Sequence, residues 1–108
     1  MSTQLKTYPN PDSRKNWLIV VEIKEPVQLR VKMVPDKLIA DHQEFKSLIR
    51  RVVGQDWGTP EEMTLNIIEN INNDLVPMWL EVIYERDGIM VRLEDRQPGL
   101  ADFQAPRN

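Results

Sequence analysis

The chain is expected to fold as an α+β domain in which two β-hairpins flank a pair of helices, and three observations carry that expectation. VQLRVKMV, residues 27–34, alternates strictly, with Val27, Leu29, Val31 and Met33 on one face and Gln28, Arg30 and Lys32 on the other, the period-2 pattern of a half-buried strand. DHQEFKSLIRRVV and, after it, the stretch between Pro60 and Pro77 repeat apolar residues at helical spacing. Asp87-Gly88 separates the strand-like MWLEVIYER from IMVRLEDR and suits a type I′ hairpin turn, in which both central residues take positive φ.

Taken in order, NWLIVVEIK has the β-branched and aromatic content of a strand, and the short KEP connection makes it an antiparallel partner of VQLRVKMV. PDK turns the chain. In the first helix Phe45, Leu48, Ile49 and Val52 share a face, Asp41 serves as N-cap, Gly54 stops the helix, and the outer face is basic. The second helix opens inside GTPEEM. Thr59 is the N-cap, Pro60 sits at the first position where its missing N–H costs nothing, and Glu62 completes a T-x-x-E capping box. Met63, Ile67, Ile68, Ile71 and Leu75 form its buried stripe, and Pro77 ends it.

The resulting order, ββααββ, predicts a four-stranded antiparallel sheet with two helices on one face. Residues 16–96 form this single domain, with 1–15 an N-terminal arm and 97–108 a C-terminal tail, since both ends are polar and proline-bearing. The sheet's second face is expected to keep apolar residues. Together with two open edges, this favours edge-to-edge association into an oligomeric barrel with the helices outside.

Composition narrows the chemistry. Among 108 residues there are 14 basic and 17 acidic side chains, a formal net charge of −3, which argues against a broad footprint for nucleic acid. No apolar run approaches the roughly 20 residues that span a bilayer, and the N-terminal stretch lacks the apolar core of a secretory signal, so the cytoplasm is the expected location. The absence of cysteine removes thiolate nucleophiles, disulfides and cysteine-ligated metal sites. With one histidine, His42, a multi-histidine metal site cannot be built either. No metal site is expected.

The words YPNP, PDK, GTPEEM, PMWLEV and ERDGIMV, spread between about residues 8 and 93, resemble the tunnelling fold, or T-fold. Within it they resemble the NADPH-dependent cyano-deazaguanine nitrile reductases of queuosine biosynthesis. In that family a Pro-Asn segment leads into the first strand, a Pro-Asp turn precedes the first helix, a glutamate opens the second helix, and a Pro-x-aromatic-x-Glu-Val strand leads to a glycine-containing hairpin. The resemblance implies a homo-oligomer that holds planar purine-like or pterin-like rings between subunits, with Glu61 or Glu62 as the carboxylate gripping the ring's N–H edge. It implies NADPH as cofactor only through a basic motif that survives as Lys46, Arg50 and Arg51. The family's cysteine-bearing loop is reduced here to Lys24-Glu25-Pro26. Without a thiolate the covalent thioimide of nitrile reduction cannot form in this chain alone.

Each candidate also has an ordinary structural reading. Glu62 is accounted for by the capping box, and Glu61 gains from the helix dipole whatever its function. Trp57, in the QDWG loop beside these glutamates, is the tryptophan best placed to stack on a ring, whereas Trp17 and Trp79 read as core or interface. Lys46, Arg50 and Arg51 could meet the phosphates of a nucleotide cofactor or of nucleic acid, or be a solvated helix face. His42 could act as a general base if it reached the ring site, and Asp36 and Asp41 could cluster with it, although turn and cap roles explain both. Ring binding without catalysis leads. The alternatives are a scaffold or protein-interaction module, a different T-fold enzyme working through His42, and one subunit of a split reductase.

Overall fold

The strict alternation of residues 27–34 becomes the first of two central strands in a computed structural model that describes residues 5–100 and 102–106. The strands are β1 (Thr7–Pro9), β2 (Ile19–Ile23), β3 (Gln28–Val34), β4 (Leu38–Ala40), β5 (Trp79–Arg86) and β6 (Ile89–Arg96). The helices are α1 (His42–Val53) and α2 (Pro60–Leu75), both between β4 and β5. Four strands form an antiparallel sheet in the order β2-β3-β5-β6, and β1 pairs with β4 in a separate two-stranded sheet. The expected ββααββ order therefore holds for the main sheet, and the β1–β4 pair is additional.

Register explains which side is buried. Leu29, Val31 and Met33 stand opposite Tyr84, Val82 and Leu80 on β5 and opposite Ile23, Val21 and Ile19 on β2. Val91 and Leu93 of β6 continue the same rows. Phe45, Ile49, Val52 and Val53 of α1 and Met63, Ile67, Ile68, Ile71 and Leu75 of α2 close over this face. Burying a side chain of this size contributes about 1.5–3 kcal/mol, so these rows are the principal source of stability. The short axis of the molecule is 22 Å, the depth of one sheet and one helical layer.

The opposite face keeps some apolar residues, as expected, with Val20, Ile83 and Met90 interspersed among charged pairs. Gln28, Arg30 and Lys32 lie across from Glu85, Ile83 and Glu81, and Glu81 stands beside Glu94 of β6. Arg30 pairs with Glu22 at 2.7 Å, and Glu81, only 4% exposed, pairs with Arg92 and lies 3.8 Å from Lys32. Arg92 is held above its ordinary pKa by its hydrogen bond to Glu81. Trp79 supplies an indole N–H to Glu94 at 2.9 Å. Opposite charges across neighbouring strands satisfy one another between these apolar positions.

Part of the stretch read as an arm belongs to the fold. Thr7, Tyr8 and Pro9 pair with Ala40, Ile39 and Leu38, Leu5 is buried, and the Lys6 N–H donates to the Glu44 carboxylate at 2.9 Å. The polar composition concealed this because the segment is held by backbone pairing and one apolar anchor. The tail likewise begins with a structural residue. The Gln97 amide donates one hydrogen to Asp36 Oδ2 and the other to the Val76 carbonyl, each at 2.9 Å, while the Asn10 amide donates to the Asp36 carbonyl at 2.7 Å. Asp36 thus joins three distant segments.

The helix and turn signals act as expected. Asp41 accepts from the Glu44 N–H, Thr59 accepts from the Glu62 N–H, and Pro60 opens α2. Asp87 and Gly88 have φ of 53° and 80°. At the end of α2 the left-handed position is filled by Val76, φ 45°, where a β-branched residue is strained.

Val76 is 57% exposed, so Val76→Gly is expected to raise stability by about 1 kcal/mol in urea denaturation, the relief of strain exceeding the small packing loss. Arg92→Met is expected to lower it by about 1–3 kcal/mol in the same assay, because the Glu81 carboxylate keeps only the more distant Lys32.

Candidate functional site

The loop between the helices, residues 54–59, is built by the way α1 ends and α2 begins. The Val52 carbonyl, unpaired within α1, accepts from the Gln55 N–H at 3.1 Å and from the Trp57 indole N–H at 2.7 Å. Trp57 is thereby pinned beneath the helix end, half-buried against the core. Two residues on, Thr59 caps α2 by accepting from the Glu62 N–H at 3.2 Å. The Glu62 carboxylate folds back over Gly58, where a Cβ would meet both carboxylate oxygens at 3.3 Å.

These constraints leave a hollow of about 350 Å³ between the loop and the end of the sheet, within the size range of small-molecule sites. Val27, Val53 and Met63 form its apolar wall, Trp57 and Tyr84 its aromatic wall, Gly58, Thr59 and Pro60 the side made by the start of α2, and Gln55, Asp56 and Arg86 its polar border. A planar heterocycle needs this combination of aromatic surface with a few polar groups at its edge.

The predicted residues separate into two groups. Trp57 borders the hollow directly. Glu61 follows Pro60, is exposed, and its carboxylate has no hydrogen-bond or ion-pair partner among the described residues. Its backbone carbonyl accepts from the Thr64 hydroxyl at 3.0 Å. Glu62 lies against the cap and Gly58. Lys46 instead borders a second hollow, of about 410 Å³, with His42, Gln43 and residues 18–22 along β2, and Arg50 is exposed on α1. Within one protomer, then, His42 and Lys46 are not brought to the Trp57 hollow. The acid–base reading through His42 lacks that histidine there, and Lys46 and Arg50 do not border the hollow.

Asp36 and Asp41 do not join His42 in a cluster. Asp36 is engaged by Gln97, and Asp41 caps α1 and also lies 3.5 Å from the Tyr8 hydroxyl. Trp17 donates to the Asp12 carbonyl at 3.0 Å and Trp79 is buried. Among the described residues, no three of His, Cys, Asp or Glu converge to hold a metal ion, and no helix is long and apolar enough to cross a membrane.

Sequence reasoning missed Tyr84 and Arg86. The alternation of WLEVIYER places Tyr84 on the same face as Leu80 and Val82, so a polar tip at the end of an apolar row was its available signal. Arg86 had none beyond its charge. No protein-family model matches the chain, and no curated protein matches it.

Thr59→Ala is expected to cost about 1 kcal/mol in chemical denaturation. Glu62→Gln should change stability by less than about 0.5 kcal/mol, because the capping bond from the residue-62 backbone N–H to Thr59 is kept. The pair measures how much of the loop's order comes from the cap.

Proposed function

We propose that this protein binds a planar purine-like or pterin-like ring in the Trp57 hollow without carrying out nitrile reduction, as a cysteine-less T-fold relative of the cyano-deazaguanine reductases. The observation that carries the reading is the combination at the start of α2: an aromatic-walled cavity of ring size, with an exposed, unengaged carboxylate on Glu61 one residue beyond its wall. A carboxylate can accept two hydrogen bonds from an amidine-like ring edge. Glu62 is the weaker candidate because its carboxylate lies against Gly58.

The ring would lie against Trp57, which is held in place by its bond to Val52 and so loses little freedom on binding. Glu61 would orient the ring by its N–H edge. A neighbouring subunit added along the open edge of β2 or β6 would cover exposed strand, including Ile89 and Met90, and help enclose the ligand. No hydride step is assigned to Lys46 and Arg50, which do not border the ring cavity.

Calorimetric titration with 7-cyano-7-deazaguanine, guanine and a pterin tests the reading. Wild type should bind at least one of them, Glu61→Gln should weaken it by about 10- to 100-fold, and Glu62→Gln should leave it within about threefold. Sedimentation velocity on the same sample should show an assembly larger than one chain. No heat with any titrant would turn the reading to a scaffold that engages protein partners.

A further inference from the structure

Tyr84 has a hydroxyl with no structural duty. Its ring belongs to the core, facing Leu29 on β3 and Val91 on β6, and the residue is 8% exposed. Nevertheless its hydroxyl has no hydrogen-bond partner among the described residues, and the oxygen is not sealed from solvent as a buried unsatisfied atom would be. Tyr84 borders the same hollow as Trp57 and the start of α2. Phenylalanine would fill the packing space equally well, so packing does not account for the oxygen. In the free protein water can bond to this hydroxyl, so a ligand that covers it must offer a polar atom in water's place.

We infer that the Tyr84 hydroxyl is a specificity-determining contact for the ring, bonding in plane to a polar atom on the edge that meets β5. The inference rests on the ring-binding reading of this hollow and adds to it the residue that selects among flat ligands. Glu61 reads N–H donors on one edge. Tyr84, whose hydroxyl both donates and accepts, requires a carbonyl, amino group or ring nitrogen on another. The ligand class is therefore a bicyclic heteroaromatic with polar atoms on two edges, and a hydrocarbon-edged ring of the same shape is disfavoured because it leaves the hydroxyl unpaired.

Tyr84→Phe tests this, because it removes the oxygen and keeps the ring. In the ligand-free protein its melting temperature should equal or exceed that of wild type, since no internal bond is lost. A lower melting temperature would reveal an internal partner and overturn the inference. In calorimetry with 7-cyano-7-deazaguanine, a pterin and indole, the variant should bind the polar-edged rings about 3- to 10-fold more weakly than wild type. Its affinity for indole should be unchanged or higher. Equal affinity of wild type and variant for the polar-edged rings overturns the role of Tyr84 while leaving ring binding intact. If wild type binds none of the three, the ring reading itself falls and this inference with it.

Discussion

The pairing of β3 with β5 is the constraint on which the rest depends. It runs in register from Gln28 opposite Glu85 to Val34 opposite Trp79, although both helices lie between these strands in the chain. Closing so long a connection costs conformational entropy before any contact repays it. The repayment comes from the connection itself, because α1 and α2 supply the apolar layer that covers the paired strands. The length of α2 then has to deliver the chain to one place. Val76 turns it out of the helix, and the Met78 N–H reaches the Val34 carbonyl at 2.9 Å, setting the first rung. Asp36, tied to Asn10 and Gln97, secures the same corner from the other side.

The hollow arises from this arrangement. Two helices joined by six residues must reverse direction over the end of the sheet, and the reversal cannot fill the space above Val27 and Tyr84 with backbone alone. What borders the gap is largely committed. Trp57 terminates α1, Thr59 begins α2, and Glu62 lies over Gly58. Gln55, Asp56 and Tyr84 on the gap's border, and Glu61 beside it, have side chains with no hydrogen bond or ion pair among the described residues. A rigid frame carrying a few uncommitted polar groups is the arrangement expected of a preorganised binding site.

Much of the fold was legible in the sequence because its signals are local. Alternation located β3, the Asp-Gly dipeptide located the β5–β6 turn, and Thr59 with Pro60 located the start of α2 within a residue. β1 was not legible. A strand of three residues, one of them Pro9, has no periodicity to read and exists because β4 offers it an edge. The charged face was half legible. Gln28, Arg30 and Lys32 stood on it from the outset, but their carboxylate partners depend on register, which aligns Glu81 with Lys32 and Glu94 with Glu81. The candidate site divides in the same way. Trp57 could be placed beside the start of α2 by sequence proximity, while Tyr84 arrives there through the return of β5 and Lys46, on α1, borders a separate hollow beside β2.

The bond that pins Trp57 also gives the loop an optical character. Because the indole N–H is already given to the Val52 carbonyl, the fluorescence of this residue should respond mainly to what lies against its ring face, water or another aromatic surface. Trp79 is enclosed and Trp17 is 44% exposed, so the three emitters occupy distinct environments and differ in their access to a soluble quencher. The chain thus carries an intrinsic reporter at the wall of its own cavity, read without labelling or any change of sequence.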